Sequence, residues 1–305
     1  MSVVITGGLG FIGSHVVNIF YNRGFEVRII DNLYTGLLSN VDVNKVHIYI
    51  GDIRDTHFIS KILLGADYVV HLAAIANVNE TEKNPIDALS VNSFGTHIIL
   101  EHAYKLEVEK FVFASSAAVY GEPEHLPIDE KHPIKPKSIY GLSKVIAENI
   151  IRWYAENYGI KSVILRYFNV YGPRMRNNDF GPVIARFIIR ALKNEPIIIF
   201  GDGSQTRDFV YVEDVAEATF FATEKNVSGV FNVGTGIETS ILDVAKKIIE
   251  LSQSKSKIIF RKSRSFDISR SVADISRIKS VLNWWPKYDL KEGLLRTIDW
   301  YRARI

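Results

Sequence analysis

Short β-branched runs alternate with amphipathic stretches through the first two-thirds of the chain, and this rhythm limits the possible folds more than any other feature. Six runs predict strands, at residues 3–6, 27–30, 46–50, 68–71, 111–114 and 162–165. Strands that alternate with helices need crossover connections, which produce a parallel sheet with helices on both faces. Burial of both faces also explains why the runs are continuously apolar. The sequence therefore predicts a doubly wound parallel α/β sheet over residues 1–169.

The rhythm is lost after Gly172, which predicts a second, smaller unit. A helix over about 183–193 and a strand at 197–200 follow, and the last stretch contains a helix near 242–251, a basic loop and a helix around 290–302. We expect residues 1–169, together with segments around 197–228, to form the first domain. Residues 170–196 and 229–305 are expected to form a smaller α/β C-terminal domain that caps the sheet and binds the substrate.

Composition excludes several classes of protein. The 37 basic and 34 acidic residues are spread along the chain, so no nucleic-acid partner is indicated. The absence of cysteine excludes disulfides, thiolate metal ligands and cysteine nucleophiles, and no metal site is predicted. Neither a long apolar run nor a cleavable apolar leader is present in the sequence, so no membrane partner is expected and a cytoplasmic location is the default prediction.

A glycine-rich turn, Gly7-Gly8-Leu9-Gly10-Phe11-Ile12-Gly13, joins the first strand to a helical pattern. Glycines there allow a tight turn, close backbone approach to a pyrophosphate and close helix packing, while amides at the helix N-terminus hold the anion. Asp31 ends the next strand 18 residues after Gly13, near the place of a carboxylate that binds the adenosine ribose. A merely tight turn is the alternative for an isolated match. The combination predicts a Rossmann-type dinucleotide site.

The residues around Asp31 bear on which dinucleotide is bound. A carboxylate repels the 2′-phosphate of NADP, and Asn32-Leu33-Tyr34 offers no basic residue to meet that phosphate. Arg28, three residues before Asp31, is a weak counter-argument. The cofactor is therefore predicted to be NAD.

Tyr140 and Lys144 begin a predicted helix, and their spacing places both side chains on one face. A lysine ammonium beside a phenol favours the phenolate, which can act as a general base. The spacing alone arises easily by chance. It gains weight from Ser116, which follows the strand at 111–114, because such sheets bind ligands at the carboxyl ends of their strands. Ser116 is predicted to hydrogen-bond a substrate hydroxyl; capping of local backbone amides is the alternative.

Together these residues resemble the UDP-glucose 4-epimerases and close relatives among the extended short-chain dehydrogenases. The shared motifs are Thr6-Gly-Gly-Leu-Gly-Phe-Ile-Gly13, Asp31-Asn-Leu, Asp52-Ile53, His71-Leu-Ala-Ala74, Ser115-Ser-Ala-Ala-Val-Tyr-Gly121, Tyr140-Gly-Leu-Ser-Lys144, Arg166-Tyr-Phe-Asn169 and Gly201-Asp-Gly-Ser-Gln-Thr-Arg-Asp-Phe-Val-Tyr-Val212. The likeness spans nearly the whole chain, and it is more specific for the superfamily than for the epimerase. It implies a C2 homodimer in which helices around 86–104 and 140–158 of each subunit form a four-helix interface.

The resemblance also implies roles for individual residues. The catalytic residues are implied to be Ser116, Tyr140 and Lys144. The residues implied to bind the cofactor, besides Tyr140 and Lys144, are Gly7, Gly10, Phe11, Ile12, Gly13, Asp31, Asn32, Thr35, Gly36, Asp52, Ile53, Leu72, Ala73, Ala74, Asn92 and Phe168. The residues implied to bind the substrate are Ser116, Asn169, Arg207, Arg264, Asp267 and Ser271.

Some of these roles can be placed along the ligands. Asp52 and Ile53 are expected at the adenine, and Asn92 and Phe168 near the nicotinamide and its ribose. Arg207 and Arg264 are expected at the substrate diphosphate, because a guanidinium meets phosphate oxygens bidentately. An ordinary surface arginine is the alternative for Arg264.

Ser271 matches a position that limits the space at the C2 substituent of the hexose in related epimerases. A small residue there predicts room for an N-acetyl group. The alternative is a serine that merely lies in a surface loop.

Two alanines separate the chain from dehydrating and decarboxylating relatives. Nucleotide-sugar 4,6-dehydratases read Thr-Asp-Glu where this chain has Ser116-Ala117-Ala118, and the decarboxylating relatives keep the glutamate. An alkyl group cannot transfer the proton that elimination of the 6-hydroxyl requires. The resemblance therefore favours a UDP-glucose 4-epimerase with a 4-keto intermediate, active also on the N-acetylated sugars. A 4-epimerase of another nucleotide sugar, such as a UDP-uronic acid, and a non-catalytic NAD sensor are the alternatives.

Overall fold

The computed structural model describes residues 1–176, 181–262 and 268–305. Its strands are β1 (Ser2–Thr6), β2 (Glu26–Asp31), β3 (His47–Ile50), β4 (Tyr68–His71), β5 (Lys110–Ser116), β6 (Ser162–Tyr167), β7 (Asn169–Tyr171), β8 (Ile197–Phe200), β9 (Thr206–Arg207), β10 (Phe209–Tyr211), β11 (Gly229–Val233), β12 (Thr239–Ser240) and β13 (Ile258–Arg261). Its α-helices are α1 (Phe11–Asn22), α2 (Thr56–Leu63), α3 (Val78–Lys83), α4 (Pro85–Leu89), α5 (Thr96–Lys105), α6 (Ile139–Tyr158), α7 (Val183–Leu192), α8 (Val212–Glu224), α9 (Ile241–Ser252), α10 (Ser276–Leu282) and α11 (Leu290–Arg302). A π-helical segment, Ser90–Gly95, joins α4 to α5.

Within the described residues, seven strands form one parallel sheet in the order β11-β6-β5-β4-β1-β2-β3. The chain runs outward from β1 to β3, and then continues on the other side of β1 with β4. This reversal creates a topological switch point between β1 and β4, where open α/β sheets bind ligands. The prediction of a Rossmann-type, doubly wound sheet is confirmed.

Alternate residues of β1 point to opposite faces of the sheet, and both faces are buried. Ile5 belongs to a core cluster that includes Phe20 of α1 and Phe220 of α8, whose rings meet edge to face at 5.2 Å. Val4 belongs to a second cluster, which includes Ile99 of α5. A strand with a helical layer on each side has no solvent-facing positions, which explains its continuous apolar sequence.

A third core cluster lies outside the central sheet. It joins β8 with α7, α9 and α11 through residues such as Ile199, Ile188, Val244 and Ile298. Strands β8 and β13 form a small parallel sheet beside it. None of the described helices combines the length and the apolar character needed to cross a membrane.

Two strands lie elsewhere than the sequence predicts. From the sequence, residues 229–305 are expected in the capping domain, but β11 pairs with β6 at the edge of the central sheet. The segment 197–200 is expected with the first domain, but it forms β8 and pairs with β13. Both strands are short. The sheet that a short strand joins depends on which strand edge is free in the folded protein more than on the strand's own sequence pattern.

Candidate active site

A cavity of about 830 Å³ extends along the carboxyl ends of the central strands and continues to α7 and β8. This volume is near the upper end for ligand sites, which span about 300–1,000 Å³. The cavity brings together most of the predicted residues, namely Gly7, Gly10, Phe11, Ile12, Gly13, Asp31, Asn32, Thr35, Asp52, Ile53, Leu72, Ala73, Ala74, Ser116, Tyr140, Lys144, Phe168, Asn169, Arg207 and Ser271. Gly36 and Asn92 do not line it, and Arg264 and Asp267 lie outside the described residues.

The glycine-rich turn has the geometry of a diphosphate cradle. Gly7 has a φ of +69°, and a Cβ there would lie 2.8 Å from the Ala73 nitrogen. A Cβ on Gly13 would lie 2.1 Å from the Gly7 carbonyl oxygen, so only glycine lets α1 pack this closely. Gly10 is the N-cap of α1, and no described side chain caps the helix. The first amides of α1 are therefore available to an anion, and the turn fits a dinucleotide.

Asp31 is held in place by the loop that follows it. Its carboxylate accepts hydrogen bonds from the backbone amides of Leu9 (3.1 Å) and Leu33 (2.8 Å). Burial raises the pKa of the Asp31 carboxyl, and these two hydrogen bonds oppose the rise. Gly36 packs closely against this carboxylate, and a Cβ there would lie only 2.7 Å from Asp31 Oδ1. Gly36 thus supports the site without lining it.

Two arginines near this end of the cavity have different roles. Arg28 turns away: its guanidinium donates to Glu26 and to the carbonyls of Ile62 and Leu64, and it does not line the cavity. It therefore offers nothing to a 2′-phosphate. Arg54 does line the cavity, where its guanidinium pairs with Asp52 at 2.7 Å and lowers the pKa of that carboxyl.

Helix α6 places Tyr140 and Lys144 at the carboxyl end of β5. Ser138 caps the helix by accepting a hydrogen bond from the Gly141 amide at 3.0 Å, and Glu82 accepts one from the Ile139 amide at 2.7 Å. These acceptors satisfy amides of the first turn and so fix where the helix begins. Tyr140, in the first turn, is thereby directed into the cavity.

Burial shifts the pKa values of two ionisable groups that line the cavity, Lys144 and Tyr140. Lys144 is 3% exposed and its ammonium donates to the Ala114 carbonyl at 2.8 Å, with Nζ 5.9 Å from the centre of the Tyr140 ring. Burial lowers the pKa of Lys144 to about 7, and burial raises the pKa of the Tyr140 phenol. A hydrogen bond with Ser116 opposes the rise at Tyr140. In the protein alone, therefore, desolvation opposes the phenolate that the sequence predicts.

Ser116 makes the local hydrogen bond that the sequence offers as an alternative role. Its Oγ accepts a hydrogen bond from the Ala118 amide at 3.1 Å, which is the local capping role. The same side chain lines the cavity together with Tyr140, and its hydroxyl opposes the rise that burial causes in the pKa of that phenol. The backbone thus fixes the Ser116 hydroxyl in the wall of the cavity that Tyr140 also lines.

The structure does not bring Asn92 to the cavity, where the sequence places it near the nicotinamide. Its amide accepts from the Ile75 nitrogen (2.8 Å) and donates to the Ile75 oxygen (2.9 Å) and to Ser143 Oγ (3.0 Å). All its polar atoms are used by the protein, and it is fully buried. Asn92 instead holds the π-helical segment to α6 and to the cavity wall at Ile75.

The far end of the cavity carries the predicted substrate residues. Arg207 donates to the carbonyls of Thr206 (2.6 Å) and Ile268 (2.7 Å), which ties β9 to the segment leading to Ser271. Ser271 lines the cavity and is 7% exposed, so it does not lie in an open surface loop. Asn169 also lines this end, at the start of β7.

Arg174 also lines the cavity and is absent from the residues predicted from the sequence. Its backbone is left-handed, with a φ of 70°, and its Nη1 atom is buried without a hydrogen-bond partner among the described residues. A buried guanidinium nitrogen of this kind suits an anionic ligand. The segment Gly172-Pro-Arg-Met-Arg176 contains two arginines directly after β7, and this is the signal that could have identified it.

The comparisons with known proteins agree with this geometry. The family model described as "NAD dependent epimerase/dehydratase family" matches residues 3–234. A protein named "Putative UDP-glucose 4-epimerase" from Methanocaldococcus jannaschii is 44% identical over 98% of both chains. A UDP-N-acetyl-alpha-D-glucosaminuronate decarboxylase from Bacillus cytotoxicus is 36% identical over 98% of this chain and 97% of its own.

Solved structures show the same relationship. The UDP-glucose 4-epimerase of Thermotoga maritima, solved with UDP-glucose, superposes with a TM-score of 0.97. It is 36% identical, and the match covers 100% of this chain and 99% of that one. These similarities confirm the resemblance inferred from the motifs and the prediction that the cofactor is NAD. The chain belongs to the NAD-dependent epimerase/dehydratase family.

Proposed function

We propose that the protein is a UDP-sugar 4-epimerase that interconverts UDP-glucose and UDP-galactose, a reaction of galactose metabolism, through a 4-keto intermediate. The observation that supports it most is the meeting of Ser116, Tyr140 and Lys144 in one cavity, with no acid beside Ser116. Membership of the NAD-dependent epimerase/dehydratase family follows from the comparisons, and this arrangement supports 4-epimerisation as the reaction. A base and a hydrogen-bond donor suffice to oxidise an alcohol and to reduce it again.

Ser116, Tyr140 and Lys144 each have a separate role in the proposed reaction. Tyr140 removes the proton of the sugar 4-hydroxyl and returns it in the second half of the reaction. Ser116 donates a hydrogen bond to the oxygen that becomes the carbonyl, and Lys144 stabilises the phenolate by its positive charge. NAD supplies the hydride acceptor and, after oxidation of the sugar, the hydride donor. A 4-keto sugar that turns about its diphosphate receives the hydride on its other face.

Ala117 and Ala118 oppose the reactions of the other family branches. Both line the cavity next to Ser116, where an acidic side chain would meet the hexose. A methyl group neither gives nor takes a proton, so elimination of the 6-hydroxyl is not supported at this site. The decarboxylases among the relatives are thus a poorer guide to this chain than the epimerases are.

We propose that the glycine-lined half of the cavity binds NAD. The first amides of α1 hold the diphosphate and Asp31 accepts from the adenosine ribose. Asp52 and Ile53 stay our candidates for the adenine and Phe168 for the nicotinamide side, since all three line the cavity. Asn92 acts through Ile75 rather than on the cofactor, because its amide is fully bonded.

We propose that the other half binds the UDP moiety and the hexose. Asn169 and Arg207 line it and suit a diphosphate by their hydrogen-bonding groups. Arg264 and Asp267 keep their predicted roles, as they lie outside the described residues. Ser271 is buried against the cavity, so its small side chain leaves room for an N-acetyl group, and UDP-N-acetylglucosamine and UDP-N-acetylgalactosamine are proposed as further substrates.

A second candidate is the 4-epimerisation of a UDP-uronic acid, and Arg174 favours it. A guanidinium nitrogen that is buried in the cavity without a partner among the described residues suits the carboxylate of such a sugar. The same three catalytic residues serve this reaction. The two candidates differ only in the group at C6.

We propose that the protein is a C2 homodimer through α5, α6 and the segment before α5. Their outer faces expose an aromatic surface, in which Phe94, Tyr104, Trp153 and Tyr158 are 57%, 38%, 49% and 46% exposed. The rings of Tyr104 and Tyr158 stack at 4.7 Å, and Trp153 meets Tyr158 edge to face at 5.1 Å, so these three rings form one patch. Aromatic patches of this kind are typical of interfaces. The cytoplasmic location stays a prediction.

One experiment tests these proposals together. The purified protein, without added cofactor, is incubated separately with UDP-glucose, UDP-N-acetylglucosamine and UDP-glucuronic acid, and inversion at C4 is followed by NMR. Bound nucleotide is released by denaturation and identified in the same preparation. Conversion of UDP-glucose supports the first candidate, and conversion of UDP-glucuronic acid alone supports the second. No inversion of any UDP-sugar by an NAD-loaded protein would contradict both.

A further inference from the structure

A buried carboxylate joins the catalytic helix to the central sheet. Glu148 lies one turn beyond Lys144 on the same face of α6 and is 2% exposed. Its carboxylate accepts a hydrogen bond from Ser115 Oγ at 2.6 Å. It also accepts from Nε (2.9 Å) and Nη2 (2.6 Å) of Arg166, a fully buried residue of β6. One carboxylate thus connects α6, β5 and β6 beneath the catalytic residues.

The hydrogen bonds continue from Arg166 toward the substrate end of the cavity. Arg166 Nη1 donates to the Tyr120 hydroxyl at 2.9 Å, which donates to Asn232 Oδ1 at 2.6 Å. The Asn232 amide donates to the Ile128 carbonyl at 2.9 Å, and the Ile128 amide donates to the Val272 carbonyl at 2.8 Å. Val272 adjoins Ser271. The network therefore links the strand of the catalytic serine to the segment that contacts the sugar.

We propose that Glu148 is a positioning residue for proton transfer. It keeps Lys144 as an ammonium, and it fixes the end of β5, where Ser116 lies. Glu148 and Arg166 do not line the cavity, so neither touches a ligand. The proposal rests on the proposed function, because it assigns Lys144 a part in catalysis. It concerns the residues behind the active site rather than those in it.

The charges around Lys144 support this role. Tyr140 and Glu148 face Lys144 from its own helix, His71 faces it from β4, and Arg166 lies beyond Glu148 on β6. Burial and the nearby Lys144 lower the pKa of His71 to about 3, so His71 is neutral. Burial also lowers the pKa of Lys144, and the charge of Glu148 opposes that effect. Among the described residues, Glu148 thus supplies the charge that opposes loss of the proton from Lys144.

The strand is fixed by the same carboxylate. The Ser115 hydroxyl is bonded to Glu148, and Ser115 precedes the catalytic Ser116. Lys144 itself donates to the carbonyl of Ala114, the residue before Ser115. Helix and strand are thus joined at consecutive residues, and this fixes the separation of Ser116 from Tyr140.

The test replaces Glu148 by glutamine in the NAD-loaded enzyme. The Lys144 ammonium is titrated by NMR of the ε-carbon of labelled lysine, and its signal is assigned by its absence from Lys144→Met. Removal of a nearby opposite charge lowers the pKa of Lys144 by roughly one unit. The alkaline limb of the kcat profile should move to lower pH by the same amount, while KM for the UDP-sugar stays within about twofold. If Glu148 had a structural role alone, its replacement would change neither the pKa of Lys144 nor the alkaline limb of the kcat profile.

Arg152→Gln is the matched control. Arg152 also bonds Glu148, at 3.0 Å, but its side chain is 41% exposed. Its loss leaves Glu148 charged and paired with Arg166, so the titration of Lys144 and the pH profile should not change.

Glu148→Gln leaves Arg166 buried without its partner and can fail to fold. The double variant Glu148→Gln, Arg166→Met removes both charges, and its Lys144 pKa should still lie below that of the wild type, by less than in the single variant, because the nearer Glu148 charge outweighs that of Arg166. A titration of Lys144 that matches the wild type in this double variant overturns the proposal. The outcome does not depend on turnover: a shifted lysine in a protein that inverts no UDP-sugar supports the link between Glu148 and Lys144 but refutes the proposed function.

Discussion

Gly13→Ala should remove most of the affinity for NAD while most of the chain keeps its fold. The added Cβ would lie 2.1 Å from the Gly7 oxygen, 2.8 Å from the Gly8 Cα and 2.9 Å from the Gly7 carbonyl carbon. All three atoms belong to the backbone of the cofactor turn, so no side chain can rotate away. Since ordinary contact begins at 3.4 Å, the first turn of α1 and the glycine turn must separate by about 1.3 Å.

The size of the effect follows from that displacement. Overpacking of a closely packed contact costs about 1–3 kcal/mol. The displaced groups are the amides that we propose hold the diphosphate, so the same cost should reappear in binding. At 1.4 kcal/mol for each factor of ten, NAD affinity should fall by roughly 5- to 150-fold.

Gly24→Ala is the matched control, at the other end of α1. Gly24 has a φ of +84° and no atom within 4 Å of an added Cβ, so only backbone strain opposes the change. That strain costs about 1–2 kcal/mol of unfolding free energy and leaves NAD binding unchanged. Thermal unfolding and the nucleotide released on denaturation are measured for both variants. A Gly13→Ala protein that retains stoichiometric NAD with wild-type affinity would refute the packing argument.

Three further predictions follow from the site and the surface. Tyr140→Phe should lower kcat by roughly a hundredfold or more with NAD content unchanged, the usual effect of losing a general base, and near-normal turnover would remove Tyr140 from the mechanism. Ser271→Tyr should suppress activity on the N-acetylated sugars selectively, since overfilling the pocket costs about 1–3 kcal/mol; an equal loss on both sugar pairs would show that Ser271 is not the gate. Light scattering at micromolar concentration should report a dimer, which Trp153→Glu should dissociate. Trp285→Glu is the control and should leave the dimer intact, since the two tryptophans are similarly exposed, at 49% for Trp153 and 52% for Trp285. A monomeric wild-type protein would contradict the proposed interface.

The central strands could be predicted because burial on both faces leaves a local mark. The apolar runs at 3–6 and 111–114 lie within β1 and β5. In β1, every position from Val3 to Ile5 is buried. Strand β11 has no such mark, since glycine and asparagine interrupt its five residues. It becomes a strand because the edge of β6 accepts a parallel partner. That edge exists only after the rest of the sheet has formed.

The sequence could predict that the glycines of the turn line one cavity with Ser116, Tyr140 and Lys144, but it could not predict the hydrogen bonds around them. The motif around Asn92 does not reveal that Ile75 and Ser143 use its whole amide. Nor does the spacing of Tyr140 and Lys144 reveal that burial opposes their ionisation. Both facts depend on neighbours that are distant in sequence. Motifs therefore predict which residues meet, whereas solvation and partners require the structure.

The chain leaves the central sheet after β6 and returns with α8 and β11. It then forms α9 and α11 in the other unit, whereas α10, between them, packs on the core of the central sheet. Neither unit is a continuous stretch of sequence, so a gene fragment that ends near residue 169 lacks Phe220, which packs on Phe20. Such a fragment would expose that ring and the free edge of β6, and should aggregate instead of binding NAD. For the same reason, recombination cannot exchange the unit that we propose binds the sugar in a single crossover. New substrate preferences in such a chain are expected to arise by point substitution in the segments that meet the sugar.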